Sequence, residues 1–309
     1  MSIVIITEGK DIKAWQRALN EKRPGLEVQV HPEVKNKEEI EFALAWSHPA
    51  GAFKEYPNLK CVASMGAGVD HILIDPDLPE TITITKLEDP NLTRDMGAFV
   101  VALVMNHVRG LFDYKESKQK HLWKRQRYQI PEETTIGIMG LGVLGSYAAA
   151  QLLKLDFNVI GWARSGKNLA GVEVFAGAEE LDAFLAKSAI LVCLLPLTPE
   201  TEDILNKDTL QKLPENAYVI NVARGKHIVD QDLIELIDKG HLAGASLDVF
   251  REEPLPEDHA FWHHPKINIT PHIASITDPA SAVNQILENY DRLQKNEPLK
   301  NIVSQEKGY

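Results

Sequence analysis

Three polar residues stand just beyond three separate apolar runs of this chain. Arg224 follows Tyr218-Val219-Ile220-Asn221-Val222, Glu253 follows Ala243 to Phe250, and His272 lies in the stretch Ile267 to Ser275. In an open α/β sheet the loops after parallel strands face the ligand crevice. An Arg, a Glu and a His delivered there have the makings of a 2-oxo acid reduction by a nicotinamide, in which the hydride belongs to the cofactor. A cation has to fix the carboxylate and polarise the carbonyl, and the planar fork of Arg224 can do so with two bonds. An acid has to protonate the developing alkoxide, and a histidine, here His272, is the side-chain type most often used to do so. Glu253 can accept from the other ring nitrogen and so favour the charged acid. Singly, each residue also has a plain reading: an Arg bonded to a carbonyl or a surface acid, an exposed Glu before a proline, and one structural His among 11.

These side chains need a sheet and a cofactor site to work on. Thr135-Ile136-Gly137-Ile138-Met139-Gly140-Leu141-Gly142-Val143-Leu144-Gly145-Ser146 reads as a strand, a G-x-G-x-x-G turn and a helix that continues to Leu153. Gly140 serves the sharp turn, Gly142 the approach of a pyrophosphate, and Gly145 close helix packing. The helix start, Val143 and Leu144, offers free N–H groups and a positive dipole end. At the end of the next strand, Asn158 to Trp162, a carboxylate would receive a free 2′-hydroxyl. The residues there are Ala163-Arg164-Ser165-Gly166-Lys167. Arg164 can bind a 2′-phosphate with two charge-assisted bonds, so the stretch predicts NADP(H) as the preferred cofactor, with NAD(H) possible; an exposed basic loop is the other reading.

The rest of the chain supplies more strands. Ile3-Val4-Ile5-Ile6 and Ile190 to Pro196 are unalternating apolar runs, the mark of strands covered on both faces. Leu26 to Val30, Phe42 to Trp46 and Leu59 to Ser64 make the first third an α/β unit of its own, with a helix over Asp11 to Asn20. Met65-Gly66-Ala67-Gly68-Val69-Asp70 has G-x-G but His71 in place of a third glycine; it reads either as backbone donors for a small anion such as a carboxylate or as a plain βα turn. Leu92 to Tyr114 has the spacing of one long helix, buried between domains or subunits. Lys115 to Arg127 reads as a solvated basic segment ending at Pro131. Pro279 to Gln294 is a further helix.

Composition narrows the class. The chain has 309 residues, 44% of them hydrophobic, enough for two packed domains. Its formal net charge of −11 excludes a nucleic-acid partner. The longest apolar segment, Ala98 to Met105, is too short for a bilayer, which takes about 20 residues, and the N-terminus lacks a basic region before its short apolar run. Cys61 and Cys193 sit inside apolar runs and read as buried thiols of a reducing compartment. A cytoplasmic location is expected. His259 and His263 have the i, i+4 spacing of a metal pair, but Pro265 follows and no Cys or carboxylate has ligand spacing, so no metal is expected.

The sequence resembles the D-isomer-specific 2-hydroxyacid dehydrogenases along almost its whole length. Six motifs occur in that family's order: Met65 to Asp70, Gly140 to Gly145, Leu195-Pro196-Leu197-Thr198-Pro199-Glu200-Thr201, Asn221-Val222-Ala223-Arg224-Gly225, Leu247-Asp248-Val249-Phe250 with Glu253-Pro254-Leu255-Pro256, and Thr270-Pro271-His272-Ile273-Ala274. Ala43-Leu44-Ala45-Trp46, Leu87-Glu88-Asp89 and Gly308-Tyr309 fit its subgroup of glyoxylate/hydroxypyruvate reductases. The resemblance implies two doubly wound parallel-sheet domains, a Rossmann cofactor domain (102–275) inserted in a flavodoxin-like substrate domain (1–101 and 276–309). It implies Arg224 on the substrate, Glu253 and His272 as the acid/base pair, Asp248 on the nicotinamide amide, Pro196, Ala223 and Ala274 as cofactor wall, and Gly66, Ala67, Gly68 and Val69 as donors to the substrate carboxylate. It further implies NADPH preference, a homodimer built on the Leu92 to Tyr114 helix, and a cleft between the domains. Leu194-Leu195-Pro196 stands where the wider family often has His-Val-Pro, and Val222 where Cys is usual; neither change removes a catalytic group.

Two other functions fit the same motifs. One is reduction of a bulkier 2-oxo acid, phenyl or branched, or of a phosphohydroxy acid, the last disfavoured by the short stretch after His272. Trp46 would narrow the pocket and favour small substrates if it faces them. The other is a non-enzymatic scaffold that senses NAD(P)(H), disfavoured because such relatives carry disordered tails.

Overall fold

The unalternating β-branched runs become inner strands of two parallel sheets in the computed structural model, which describes residues 2–309, with Glu116 described by its backbone alone. The chain divides into two units, Met1–Leu92 with Ile276–Tyr309, and Thr93–Ser275. The division after Leu92 falls inside a helix that the expected 101/102 boundary also cuts.

In the first unit, β1 (Ser2–Thr7), α1 (Ile12–Lys22), β2 (Glu27–Val30), β3 (Ile40–Trp46), β4 (Cys61–Ser64), α2 (Asp70–Leu73) and β5 (Thr83–Thr85) follow one another. The sheet order β2-β1-β3-β4-β5 is the flavodoxin-like one. Strand β1 lies between β2 and β3, and its side chains alternate between two cores. Ile3 and Ile5 meet Trp15 and Leu19, while Val4 and Ile6 meet Phe53 and Ile72. Each of these buried aliphatic side chains contributes about 1.5–3 kcal/mol. Asp11 starts α1 by accepting from Ala14 N at 3.2 Å.

The second unit takes most of α3 (Pro90–Val108), then α4 (Leu111–Gln119), β6 (Thr135–Met139), α5 (Val143–Leu153), β7 (Asn158–Ala163), β8 (Glu173–Ala176), α6 (Leu181–Lys187), β9 (Ile190–Cys193), α7 (Lys207–Leu210), β10 (Ala217–Asn221), α8 (Asp230–Asp238), β11 (Leu242–Leu247) and β12 (Ile267–Ile269). Its order, β12-β11-β10-β9-β6-β7-β8, is the Rossmann one with a seventh strand added beyond β11. The chain switches direction across the sheet between β6 and β9, so the loops after these strands border the crevice where such folds bind ligands. The chain then returns to the first unit with α9 (Pro279–Gln294), whose Ala282, Val283, Ile286, Leu287 and Tyr290 are buried in the core around Ile3 and Trp15.

The long helix expected from Leu92 to Tyr114 is two helices. Gly110 takes φ +60°, its N–H bonds His107 O at 2.9 Å, and the chain restarts as α4, which takes in Lys115 to Gln119 of the segment expected to be solvated and basic. Met96, Val100, Val104 and Val108 of α3 are buried in the core of the second unit itself. Residues 120–130 form neither helix nor strand and are exposed. Strands β5 and β8 are additions to the sequence reading. No single helix among the described residues is long and apolar enough to cross a membrane.

Candidate active site

The glycine turn after β6 is held by its own backbone. Gly140, at φ +100°, donates to Trp162 O at 2.8 Å, and a Cβ there would meet Leu194 O at 2.6 Å. A Cβ at Gly145 would strike the Gly140 carbonyl oxygen, whereas one at Gly142 would meet no protein atom within 4 Å. Two glycines are thus required by the fold, and the third leaves the N-terminal side of α5, at Val143 and Leu144, open to a close-approaching pyrophosphate. The residues present fit a dinucleotide.

Past β7, Arg164, Ser165 and Lys167 are exposed. The Arg164 charge lies near the Glu200 carboxylate, which Thr198 and its own backbone N–H, and then Arg164, hold below its usual range. Lys167 reaches back to the glycine turn. Its Nζ donates to Leu141 O at 2.6 Å and to Ser146 Oγ at 2.9 Å, and Ser146 Oγ also donates to Leu141 O at 2.9 Å. The ammonium therefore ties the 164–167 loop to the glycine turn.

Strands β10, β11 and β12 lie side by side and send Arg224, Glu253 and His272 past the same edge. Asn221, buried at the end of β10, shapes the first loop: its Oδ1 accepts from Ala223 N at 3.1 Å and its Nδ2 donates to Arg224 O at 2.8 Å. The Arg224 Nη1 donates to Ala223 O at 2.7 Å. Fully buried His227 bonds Arg224 O at 2.9 Å through Nδ1 and Pro196 O at 3.3 Å through Nε2, joining the loops after β9 and β10. A Cβ on Gly225 would collide with the Phe250 carbonyl carbon, so glycine there lets the Arg224 loop lie against the loop that carries Glu253.

Glu253 and His272 meet directly. His272 Nδ1 is 2.7 Å from Glu253 Oε2, and Glu253 Oε1 accepts from Phe250 N at 2.9 Å. Burial works against the Glu253 charge, but the bonds from His272 and Phe250 N, with the charges of His272 and Arg224, outweigh it and hold the carboxyl below its usual range. An ionised Glu253 accepts a hydrogen bond from Nδ1–H, which leaves Nε2 as the ring nitrogen outside this pair.

Asp248 explains where His272 stands. Its carboxylate, fully buried, accepts from Thr270 Oγ1 at 2.5 Å, Ile273 N at 2.9 Å and Ala274 N at 2.8 Å, while His272 N donates to Asp248 O at 2.8 Å. The residue sits at φ +54°, a conformation that costs a non-glycine residue about 1–3 kcal/mol and persists only when its surroundings impose it. Asp248 wraps the loop on both sides of His272 and imposes it.

In the first unit, the β4 turn buries Gly66 and Val69 and leaves Ala67 and Gly68 half-exposed. Gly66 N donates to Ser64 Oγ at 3.2 Å, and Ser64 Oγ donates to Gly68 O at 2.7 Å, so the Gly66 donor is turned inward. The Trp46 ring lies against Gly66, where a Cβ would meet Cζ3 at 2.5 Å, and stands 4.3 Å from the His71 ring.

A family model for the D-isomer specific 2-hydroxyacid dehydrogenase NAD-binding domain matches residues 101–274. The chain is 38% identical to the glyoxylate/hydroxypyruvate reductase A of Klebsiella pneumoniae (strain 342), over all of both chains. The chain belongs to the D-isomer-specific 2-hydroxyacid dehydrogenases. Among solved members of this family, the Xanthobacter autotrophicus Py2 protein in complex with NADPH and MES is 39% identical with a TM-score of 0.96, covering 100% of this chain and 99% of that one. The NADPH-dependent glyoxylate/hydroxypyruvate reductase of Sinorhizobium meliloti, in complex with NADP and sulfate, is 36% identical with a TM-score of 0.93 and the same coverage.

Within this dehydrogenase fold the sequence reading passed over several residues that build the site. Asn221 carried one signal, a polar side chain ending a strand of buried neighbours. His227, Thr270 and Ser64 carried none, because their partners lie in other loops. His259, one of the two histidines at i, i+4 spacing, caps residues 260–262 and lies 3.4 Å from Asp230. Among the described residues no group of three or more His, Cys, Asp or Glu side chains is placed to hold a metal.

Proposed function

We propose that this dehydrogenase reduces a small 2-oxo acid, glyoxylate or hydroxypyruvate, to the 2-hydroxy acid with NADPH. The observation that carries the reading is the His272–Glu253 pair at 2.7 Å, beside the loop of Arg224 at one sheet edge. The relatives named above supply the substrate class and cofactor. A dinucleotide held at the glycine turn would supply the hydride, one proton with two electrons, that the carbonyl carbon needs. Arg224 fixes the carboxylate and polarises the carbonyl. His272 gives the carbonyl oxygen a proton from Nε2, and Glu253 keeps the ring oriented and offsets its charge.

Gly140, Gly142, Val143, Leu144 and Gly145 would hold the pyrophosphate, Pro196, Ala223 and Ala274 the cofactor wall, and Arg164 and Ser165 the 2′-phosphate. Lys167 supports that end through its hold on the glycine turn. Asp248, with three of its acceptor positions in use, has a position left for the nicotinamide amide. Ala67, Gly68 and Val69, more than Gly66, would serve as donors to the substrate carboxylate, with Trp46 limiting its size. A homodimer fits the exposed segment 120–130, where Trp123 is 101% exposed and Leu122, Tyr128 and Ile130 are exposed as well. A cytoplasmic location fits the two buried free thiols, Cys61 and Cys193.

The test is initial-rate oxidation of NADPH and of NADH with glyoxylate, hydroxypyruvate, pyruvate and phenylpyruvate in parallel. Fast NADPH-dependent turnover of the two smallest polar acids is expected. Preference for phenylpyruvate would replace the substrate assignment, and NADPH binding without any turnover would replace the enzyme with a sensing scaffold.

A further inference from the structure

The first unit contains a buried titratable pair that the proposed chemistry does not use. His48 Nε2 lies 2.9 Å from Asp75 Oδ2, and the two side chains are 1% and 2% exposed. Asp75 also accepts from Gly51 N at 3.0 Å and from Asp77 N at 2.9 Å. The His48 ring packs 4.2 Å from the Phe53 ring, and its Nδ1 has no hydrogen-bond partner. The geometry lets Nε2 donate to the Asp75 carboxylate. A polar pair this dry is costly unless it holds something in place.

What it joins is specific. His48 and Gly51 belong to the loop after β3, two residues past Trp46, and Asp75 and Asp77 belong to the loop after α2, six residues past Val69. The same two segments are also joined at the surface by the exposed Lys54–Asp77 ion pair, by Ser47 N to His71 Nδ1 at 3.4 Å, and by the contacts of the Trp46 ring with His71 and Gly66. Ser47 is at φ +43°, a left-handed conformation that the surroundings have to impose. The His48–Asp75 bond is the buried anchor of the junction, where the Lys54–Asp77 pair is exposed to solvent.

We propose that His48 and Asp75 are positioning residues that clamp the Trp46 ring against Gly66 and thereby set the size of 2-oxo acid this protein accepts. The inference rests on the reading of Trp46 and the Gly66–Val69 turn as substrate-binding. It separates the role of the clamp from that of the ring it holds. Glutamine can place an amide Nε2 where the imidazole Nε2 stands, so His48→Gln keeps the donor and His48→Ala removes it.

The experiment compares wild type, H48A, H48Q and W46A by steady-state kinetics with glyoxylate and phenylpyruvate at saturating NADPH, and by amide exchange of the peptides spanning residues 46–53 and 64–77. H48A is expected to raise KM for glyoxylate about tenfold, the loss of one hydrogen bond to a charged group. Its kcat stays within about twofold, because proton donation belongs to the other unit. Its glyoxylate-over-phenylpyruvate preference falls, and both peptides exchange faster. H48Q restores all of these values. An H48A protein with unchanged KM and preference, when W46A changes both, overturns the clamp and leaves the substrate reading standing. If neither variant changes KM or preference while H48A still exchanges faster, the substrate reading fails and takes the selectivity claim with it. H48Q as impaired as H48A overturns the role assigned to the Nε2 bond.

Discussion

Replacing Asp248 with Asn changes one atom at a site where the whole side chain is buried and three donors converge. An amide oxygen can still accept from Thr270 Oγ1 and Ile273 N, but more weakly for want of charge. The amide nitrogen then faces Ala274 N, donor against donor. Weakening two bonds to a charged acceptor and stranding one buried N–H sums to about 3–5 kcal/mol. The loop loses the framework that keeps His272 at φ +54°, and release of about 1–3 kcal/mol of backbone strain favours its departure from Glu253. Turnover with glyoxylate should fall about 10- to 100-fold, and the urea midpoint should drop with it. The informative comparison is with KM for NADPH. A variant with wild-type unfolding and wild-type kcat, but a raised KM for NADPH, would show that Asp248 acts on the cofactor alone and that the loop argument is wrong.

Other outcomes follow from the same geometry. His272→Ala should lower kcat by about two to four orders of magnitude, the range for loss of a general acid, in a pre-steady-state or steady-state NADPH assay; a loss under tenfold would leave it without that role. Arg164→Ala should cut the NADPH-over-NADH ratio of kcat/KM by about tenfold or more through loss of charge-assisted bonds. Lys167→Ala, which loosens the glycine turn, should raise KM for both cofactors, and a change confined to NADPH would place its ammonium on the 2′-phosphate instead. The Glu253 carboxyl is held below its ordinary value of 4.5, so its ionised form contributes stability that is complete above that value and is lost as pH falls through the lower, folded one. Thermal unfolding from pH 6 down to pH 3 should therefore show a smaller loss of stability in Glu253→Gln than in wild type.

Much of this was legible in residue types. Ile3 to Ile6 and Ile190 to Cys193 announce parallel strands because both faces are covered, and Gly140, Gly142 and Gly145 announce the turn between β6 and α5. The loops of Arg224, Glu253 and His272 could be assigned to one edge from their strands. Side-chain direction could not: nothing in Ala163 to Lys167 foretells that the Lys167 ammonium reaches Leu141 O. The break at Gly110 was hidden because apolar spacing continues across it, and the three-residue β5 is too short to show a period. His48 and Asp75 lie 27 residues apart, and nothing in either neighbourhood foretells the 2.9 Å bond.

The return of the chain to its first unit has a consequence for synthesis. Val303 N bonds Ile84 O at 2.9 Å, Arg23 pairs with Asp291 at 2.5 Å, and the buried face of α9 completes the core around Ile3 and Trp15. A ribosome delivering this chain from its N-terminus therefore makes the five strands of the first sheet long before the helix that seals them. The intervening residues 93–275 have all their strands in hand first. The nascent N-terminal segment has to wait with one apolar face uncovered, so its exposure to chaperones and proteases is set by the rate of translation rather than by its own rate of folding.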